Sequence, residues 1–170
     1  RYTTTYEAVY SNSLGVMSGD VKFHQVLTAH TQNKGTEGKL TEQDLYMSMM
    51  YAAAHNVAGY SWFCYFPIVE EMAGSMVGFN GKGYGNGINN AAEDGKSYYN
   101  AAKTAGYQFE LIQGVLNGYH LTSRSVASNL LTTTLSNGSN TITMYVNSDT
   151  QKLTAEKTVT ASGSVCYLVG

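Results

Sequence analysis

The chain has 170 residues, enough for one domain or two small ones, and its composition excludes several classes of protein. Charged residues make up only 13% of it, and ten Lys and Arg against twelve Asp and Glu leave a net charge of −2. A basic surface for nucleic acid is therefore missing. No apolar run approaches the roughly 20 residues of a membrane span. The two cysteines, Cys64 and Cys166, do not have the spacing of a zinc site or a disulfide framework, and we expect no metal or cofactor.

The first elements alternate between helix and strand. Residues 3–20 begin like a short helix, and residues 21–31 are rich in β-forming residues, which predicts a strand buried on both faces. Thr41 and Asp44 have the spacing of a capping box and open a run of good helix formers. The following stretch, AHNVAGYSWFCYFP, predicts the end of that helix, a turn and a strand whose last residues are aromatic.

A glycine-rich segment separates these elements from a longer helix. Six glycines between Gly74 and Gly87 exclude regular structure, and their spacing fits neither a Walker A motif nor a dinucleotide-binding motif. Residues 96–119 have apolar positions at steps of three and four, which predicts an amphipathic helix. From about Ser123 the sequence is rich in Thr and Val, alternates apolar with polar residues and contains turn signals, as at Ser136–Asn140. This pattern predicts an antiparallel sandwich.

The order of elements predicts an α/β part followed by an all-β part. Alternating strands and helices are typical of parallel βα units, but two such strands cannot form a sheet that is covered on both faces. A closed eight-stranded barrel needs about 250 residues. We therefore expect residues 1–121 to be the end of a longer α/β domain, and residues 122–170 to be a small antiparallel β-sandwich. The alternative is a compact α+β domain.

This order of elements resembles the C-terminal part of (β/α)8-barrel glycoside hydrolases that carry a β-sandwich after the barrel. Residues 21–32 look like the seventh barrel strand, residues 56–67 like the eighth, and Lys96–Tyr119 like the closing helix. The resemblance implies that residues 1–121 are the last βα units of a TIM barrel, with the remainder of the barrel upstream of Arg1. It also implies a glycosidase that hydrolyses an oligo- or polysaccharide. A secreted or cell-surface location is expected, because the low charge and the high content of Tyr, Asn, Gly and Thr lean towards secretion.

The resemblance also places the active site at the C-terminal ends of the barrel strands. Trp62 is then expected to point into the barrel and to stack on the sugar, because an aromatic face supplies both apolar contact and orientation. Tyr65, His30 and Gln32 are expected to bind sugar hydroxyls. The alternative for Trp62 is ordinary packing inside the barrel.

Glycoside hydrolysis usually requires two carboxylates, and the resemblance suggests where one of them should lie. In the largest clan of retaining barrel enzymes the nucleophile is a Glu at the end of strand seven, but residues 28–32 contain no carboxylate. The candidates are Glu37, in the following loop, and Glu70 and Glu71, after strand eight. The other carboxylate is expected upstream of residue 1.

Other polar residues have structural explanations. Asp44 and Glu42 are expected to stabilise a helix N-terminus, and His55 and His120 lie near helix C-termini, where a cation is favoured. We expect His24 to be a packing histidine with its hydrogen bonds satisfied.

Two further hypotheses remain. The first is a non-catalytic carbohydrate-binding or surface adhesion module, which the missing carboxylate after the first strand and the many Tyr, Asn and Thr residues would fit. The second is a structural surface protein whose sandwich mediates assembly.

Overall fold

The computed structural model describes residues 8–12, 23–28, 41–63 and 98–147. Residues 8–12 are helical, and no helix in these four ranges is long and apolar enough to cross a membrane. Two longer helices and five strands occupy most of the same ranges. They are β1 (His24–Thr28), α1 (Glu42–Ala54), β2 (Gly59–Phe63), α2 (Tyr98–Leu116), β3 (His120–Ala127), β4 (Leu130–Ser136) and β5 (Thr141–Asn147).

Strands β1 and β2 are parallel neighbours, and α1 connects them. Their register pairs His24 with Gly59 at one end and Thr28 with Phe63 at the other. Helix α1 contacts both strands, so the three elements form a βαβ unit. The predicted parallel βα pattern is confirmed for this unit.

Helix α1 begins and ends with specific caps. The Thr41 hydroxyl accepts a hydrogen bond from the Asp44 N–H at 3.2 Å, and the Thr41 N–H donates to the Asp44 carboxylate at 2.7 Å. These two bonds complete a capping box, so the predicted structural role of Asp44 is confirmed. At the other end Asn56 has a left-handed backbone with φ 53°. The N–H groups of Asn56 and Val57 donate to carbonyls of the last helical turn, which is a Schellman ending.

Helix α2 confirms the helix that was predicted from apolar spacing. Ala101, Ala105, Phe109 and Leu116 lie on its buried side. The helix packs on α1, and the side-chain amide of Gln113 donates to the Val57 carbonyl at 2.8 Å. This bond connects α2 to the segment between α1 and β2.

Strands β3, β4 and β5 form an antiparallel sheet in that order. Ser128 and Asn129 form the two-residue turn between β3 and β4, and their φ angles of 49° and 62° are those of a type I′ hairpin. The turn predicted at Ser136–Asn140 connects β4 to β5, with Gly138 at φ 89°. Strand β3 begins at His120, slightly before the boundary expected at residue 122.

One apolar cluster is shared by the parallel pair, both helices and the antiparallel sheet. Leu27 of β1, Met49 of α1, Phe109 of α2, Leu131 of β4 and Val146 of β5 all belong to it. Strand β5 packs on α1, so the antiparallel sheet rests on the helix that joins the two parallel strands. The later strands predicted within residues 148–170 lie outside the described residues.

Candidate functional site

The carboxyl ends of β1 and β2 lie side by side. Thr28 and Phe63 are the last residues of the two strands and are paired in the parallel register. Neighbouring strands are about 4.8 Å apart, so the segments after β1 and after β2 leave the sheet from adjacent points on one edge. These segments contain six of the seven predicted site residues, all outside the described residues: His30, Gln32 and Glu37 after β1, and Tyr65, Glu70 and Glu71 after β2.

Trp62 is the predicted site residue that the structure describes, and its orientation differs from the expected one. It pairs in register with the buried Leu27 and packs against the shared apolar cluster. Its ring meets the Tyr60 ring edge to face, with centroids 5.2 Å apart, and Tyr60 meets Phe109 of α2 in the same manner at 4.8 Å. Trp62 therefore lies on the helix-facing side of the pair.

The expectation that Trp62 points away from the helices is wrong. Residues two apart in a strand share a face, so the contact between Tyr60 and α2 also fixes the side on which Trp62 lies. Trp62 is partly buried rather than enclosed, and its contact with a sugar stays a prediction.

Tyr60 is held neutral by its surroundings. Burial raises the pKa of its hydroxyl to about 12, and a hydrogen bond with the Trp62 side chain opposes part of that rise. A tyrosine that ionises so far above neutral pH is not suited to act as a base there. Tyr60 therefore acts as a packing residue between β2 and α2.

The opposite face of the parallel pair carries exposed side chains. His24, Val26 and Ser61 all lie on this face, and Val26 is 58% exposed. A hydrogen bond of 2.8 Å joins His24 Nε2 and Ser61 Oγ. His24 has a hydrogen-bond partner as predicted, but it is exposed rather than packed. The imidazole and hydroxyl provide donors and acceptors on this exposed side of the pair.

A buried polar junction surrounds His55, the C-cap residue of α1. The His55 side chain is 1% exposed, and its ring stacks on Tyr10 with centroids 3.9 Å apart and planes within 9°. Its Nδ1–H donates to the Tyr51 carbonyl at 2.7 Å, and its Nε2 accepts from Arg124 Nε–H at 3.1 Å. A ring that donates at one nitrogen and accepts at the other is neutral.

His55 therefore lies at the helix C-terminus as a neutral ring and not as a cation. The position near the last carbonyls is as predicted, but the Arg124 N–H occupies the nitrogen that a second proton would need. The two residues lie 69 positions apart, and no local pattern in the sequence relates them. His120, the other histidine in this prediction, is exposed at the start of β3.

The junction ties several distant segments together. Arg124 of β3 also donates from Nη1 to the Ser11 hydroxyl at 3.0 Å. Beside it, the side-chain amide of Asn56 donates to the Tyr119 carbonyl, just before β3. All these contacts gather at the α1 terminus that leads into the amino end of β2, the edge opposite Thr28 and Phe63. They fasten the antiparallel sheet to the βαβ unit.

Neither a metal centre nor a known relative helps to assign the site. Within residues 8–12, 23–28, 41–63 and 98–147, no group of three or more His, Cys, Asp or Glu side chains could hold a metal ion. Comparisons of the chain with protein-family models, with curated proteins and with solved structures give no match.

Proposed function

We propose that this chain is the C-terminal part of a (β/α)8-barrel glycoside hydrolase, followed by a β-sandwich. The protein would hydrolyse glycosidic bonds in an oligo- or polysaccharide, outside the cell or at its surface. The remainder of the barrel, with at least one catalytic carboxylate, would precede residue 1.

The observation that carries the proposal is the parallel pairing of β1 with β2 through α1. Because Thr28 and Phe63 are in register, the two segments that hold the predicted binding and catalytic residues start at neighbouring points. Ligands of parallel α/β proteins bind at this carboxyl edge, outside the ends of the strands. A long helix and an antiparallel sheet follow in the order that the resemblance requires.

The proposed roles follow from the chemistry of the side chains. His30, Gln32 and Tyr65 offer donors and acceptors for sugar hydroxyls. One of Glu37, Glu70 and Glu71 would act as nucleophile, acid or base, opposite a carboxylate from an earlier strand. Trp62 faces the helices, so it does not provide the aromatic surface expected on the other side of the strand pair. Tyr65 would then make the main aromatic contact with the sugar.

Carboxamide substitutions in the full-length protein test this assignment. We expect one of Glu37→Gln, Glu70→Gln and Glu71→Gln to lower the rate of polysaccharide hydrolysis by about 10²–10⁴-fold, the usual contribution of a positioned acid or base. The matched control is Glu110→Gln, an exposed glutamate on α2, which should leave the rate unchanged. Release of reducing ends from a panel of polysaccharides measures the rate. If all three variants hydrolyse like wild type, none of these glutamates is catalytic.

A non-catalytic carbohydrate-binding module is the second candidate. The observation in its favour is that residues 28–32, at the end of β1, contain no carboxylate. It predicts that the full-length protein is retarded in gels that contain the polysaccharide, releases no reducing ends, and loses retardation in Tyr65→Ala. Hydrolysis by the wild-type protein would exclude it.

A further inference from the structure

We propose that His55 and Arg124 form a pH-sensitive latch between α1 and the antiparallel sheet. When His55 is neutral, its Nε2 accepts the Arg124 Nε–H at 3.1 Å, and this bond holds β3 against the C-terminal end of α1. When His55 takes up a second proton, the latch opens. This proposal is independent of the proposed enzymatic activity.

The geometry of the ring determines what a second proton does. Nδ1 already carries a hydrogen, which it donates to the Tyr51 carbonyl at 2.7 Å. The second proton must therefore bind at Nε2, the atom that faces the Arg124 N–H. Both groups would then be donors and both would be cations, so an attractive contact becomes a repulsive one.

Histidine is the residue type in this contact whose charge changes near neutral pH. The titratable and charged side chains against the ring include Tyr10 from residues 8–12, Tyr51 from α1 and Arg124 from β3. As residue types, tyrosine and arginine keep their charge between pH 5 and pH 8, whereas histidine changes its charge there. Because His55 is 1% exposed, the proton can reach it only when the contact opens locally.

Opening the latch weakens the sheet itself. Arg124 is paired in register with Thr133, at the middle of β4, and the neighbouring Leu131 and Leu135 are fully buried. A small sheet depends on the burial of its apolar face for stability. When the sheet separates from α1, the amides of β4 should therefore exchange with solvent more readily.

Hydrogen exchange of the intact protein, followed by mass spectrometry, measures this effect. The readout is the protection of peptides that cover Leu130–Ser136 at pH 7.5 and at pH 5.0, after correction for the intrinsic exchange rate at each pH. We expect protection to fall about tenfold at the lower pH, in proportion to the loss of one hydrogen bond to a charged group. Equal protection at the two pH values would overturn the proposal.

Histidine variants identify the responsible group. His55→Gln keeps an acceptor for Arg124 but does not titrate, so the pH-dependent loss should disappear. His24→Gln and His120→Gln change exposed histidines on β1 and β3 and should keep the full loss. If His55→Gln does not fold, Arg124→Gln gives the same answer, because it retains an N–H donor without the charge and should reduce the loss. A tenfold loss that persists in His55→Gln, or in Arg124→Gln, would overturn the latch.

Discussion

Asn56 has both a backbone role and a side-chain role at the end of α1. Its φ of 53° lies in the left-handed region, which costs most residues with a β-carbon about 1–2 kcal/mol and is more readily adopted by asparagine. Its side-chain amide donates to the Tyr119 carbonyl, which lies just before β3. A single residue thus ends a helix and links that end to the antiparallel sheet.

Substitutions at Asn56 should separate the two roles. Asn56→Ala loses the hydrogen bond and keeps the unfavourable backbone angle, so we expect a loss of about 1–2 kcal/mol in the free energy of unfolding. Asn56→Gly loses only the hydrogen bond and should be the more stable of the two variants. Chemical denaturation measures the difference. The matched control is Asn129→Gly, a turn position with φ 62°, which should change stability by a few tenths of a kcal/mol. Equal losses in the Ala and Gly variants would contradict a contribution from the backbone.

Some roles of single residues could be predicted from the sequence, and others could not. The capping pair of Thr41 and Asp44 was predictable because it depends on a spacing of three residues within one helix. The orientation of Trp62 was not, because alternation defines two faces of a strand without saying which face the helices cover. The neutral state of His55 depends on Arg124, a partner from a distant strand.

Among the elements, α2 and β4 each contain a leucine, and the two leucines differ in burial. Leu111 of α2 is 73% exposed, on a side of the helix that also exposes Tyr107 and Val115. Leu131 of β4 is fully buried in the cluster that the helices and both sheets share. The hydrophobic stabilisation should follow this difference in burial.

Alanine substitutions of these two leucines form a matched pair. We expect Leu131→Ala to lower the free energy of unfolding by about 2–5 kcal/mol, because it leaves a cavity in the core. Leu111→Ala should change it by less than about 0.5 kcal/mol, as is usual for surface positions. Thermal or chemical unfolding of the two variants provides the comparison. A large loss in Leu111→Ala would mean that this side of α2 is covered in the folded protein.

The boundaries of elements were predictable where one periodicity persisted. Steps of three and four over residues 96–119 identified α2, and strict alternation of Ile142, Met144 and Val146 identified β5. The strand predicted over residues 21–31 is described as His24–Thr28, because imperfect alternation marks a strand without fixing its ends. Local spacing is thus a good guide to the type of an element and a weaker guide to its limits.

At the scale of the whole molecule, the parallel and antiparallel parts meet on α1. The change of composition near Ser123 coincides with the change from parallel to antiparallel pairing. It could not show that Leu131 and Val146 would enter the cluster that holds Leu27 and Met49. Contacts between distant segments leave no periodic signal in the sequence. The packing of these segments therefore cannot be predicted from the spacing of apolar residues. Membership of a larger barrel stays a prediction for the same reason.

The two sheets also differ in the length of the chain segments that connect their paired strands, and this difference predicts an order of folding. A two-residue turn joins β3 to β4 and a short turn joins β4 to β5, whereas a segment that includes the whole of α1 separates β1 from β2 in the chain. Short loops close at lower entropic cost, and local pairings form faster. We therefore expect the antiparallel sheet to acquire protected amides before the parallel pair in pulse-labelling hydrogen exchange during refolding. Protection of β1 and β2 before β3 to β5 would contradict this order.

Late pairing of β1 has a consequence for how the protein is made. Until β2 and α1 dock, β1 is a strand with unpaired backbone groups on both sides, and its exposed Val26 adds an apolar side chain. Such strands pair readily with other chains at high concentration. The yield of correctly folded protein should therefore depend on how long β1 stays unpaired. Slow synthesis or low temperature should raise this yield more than substitutions that stabilise the antiparallel sheet.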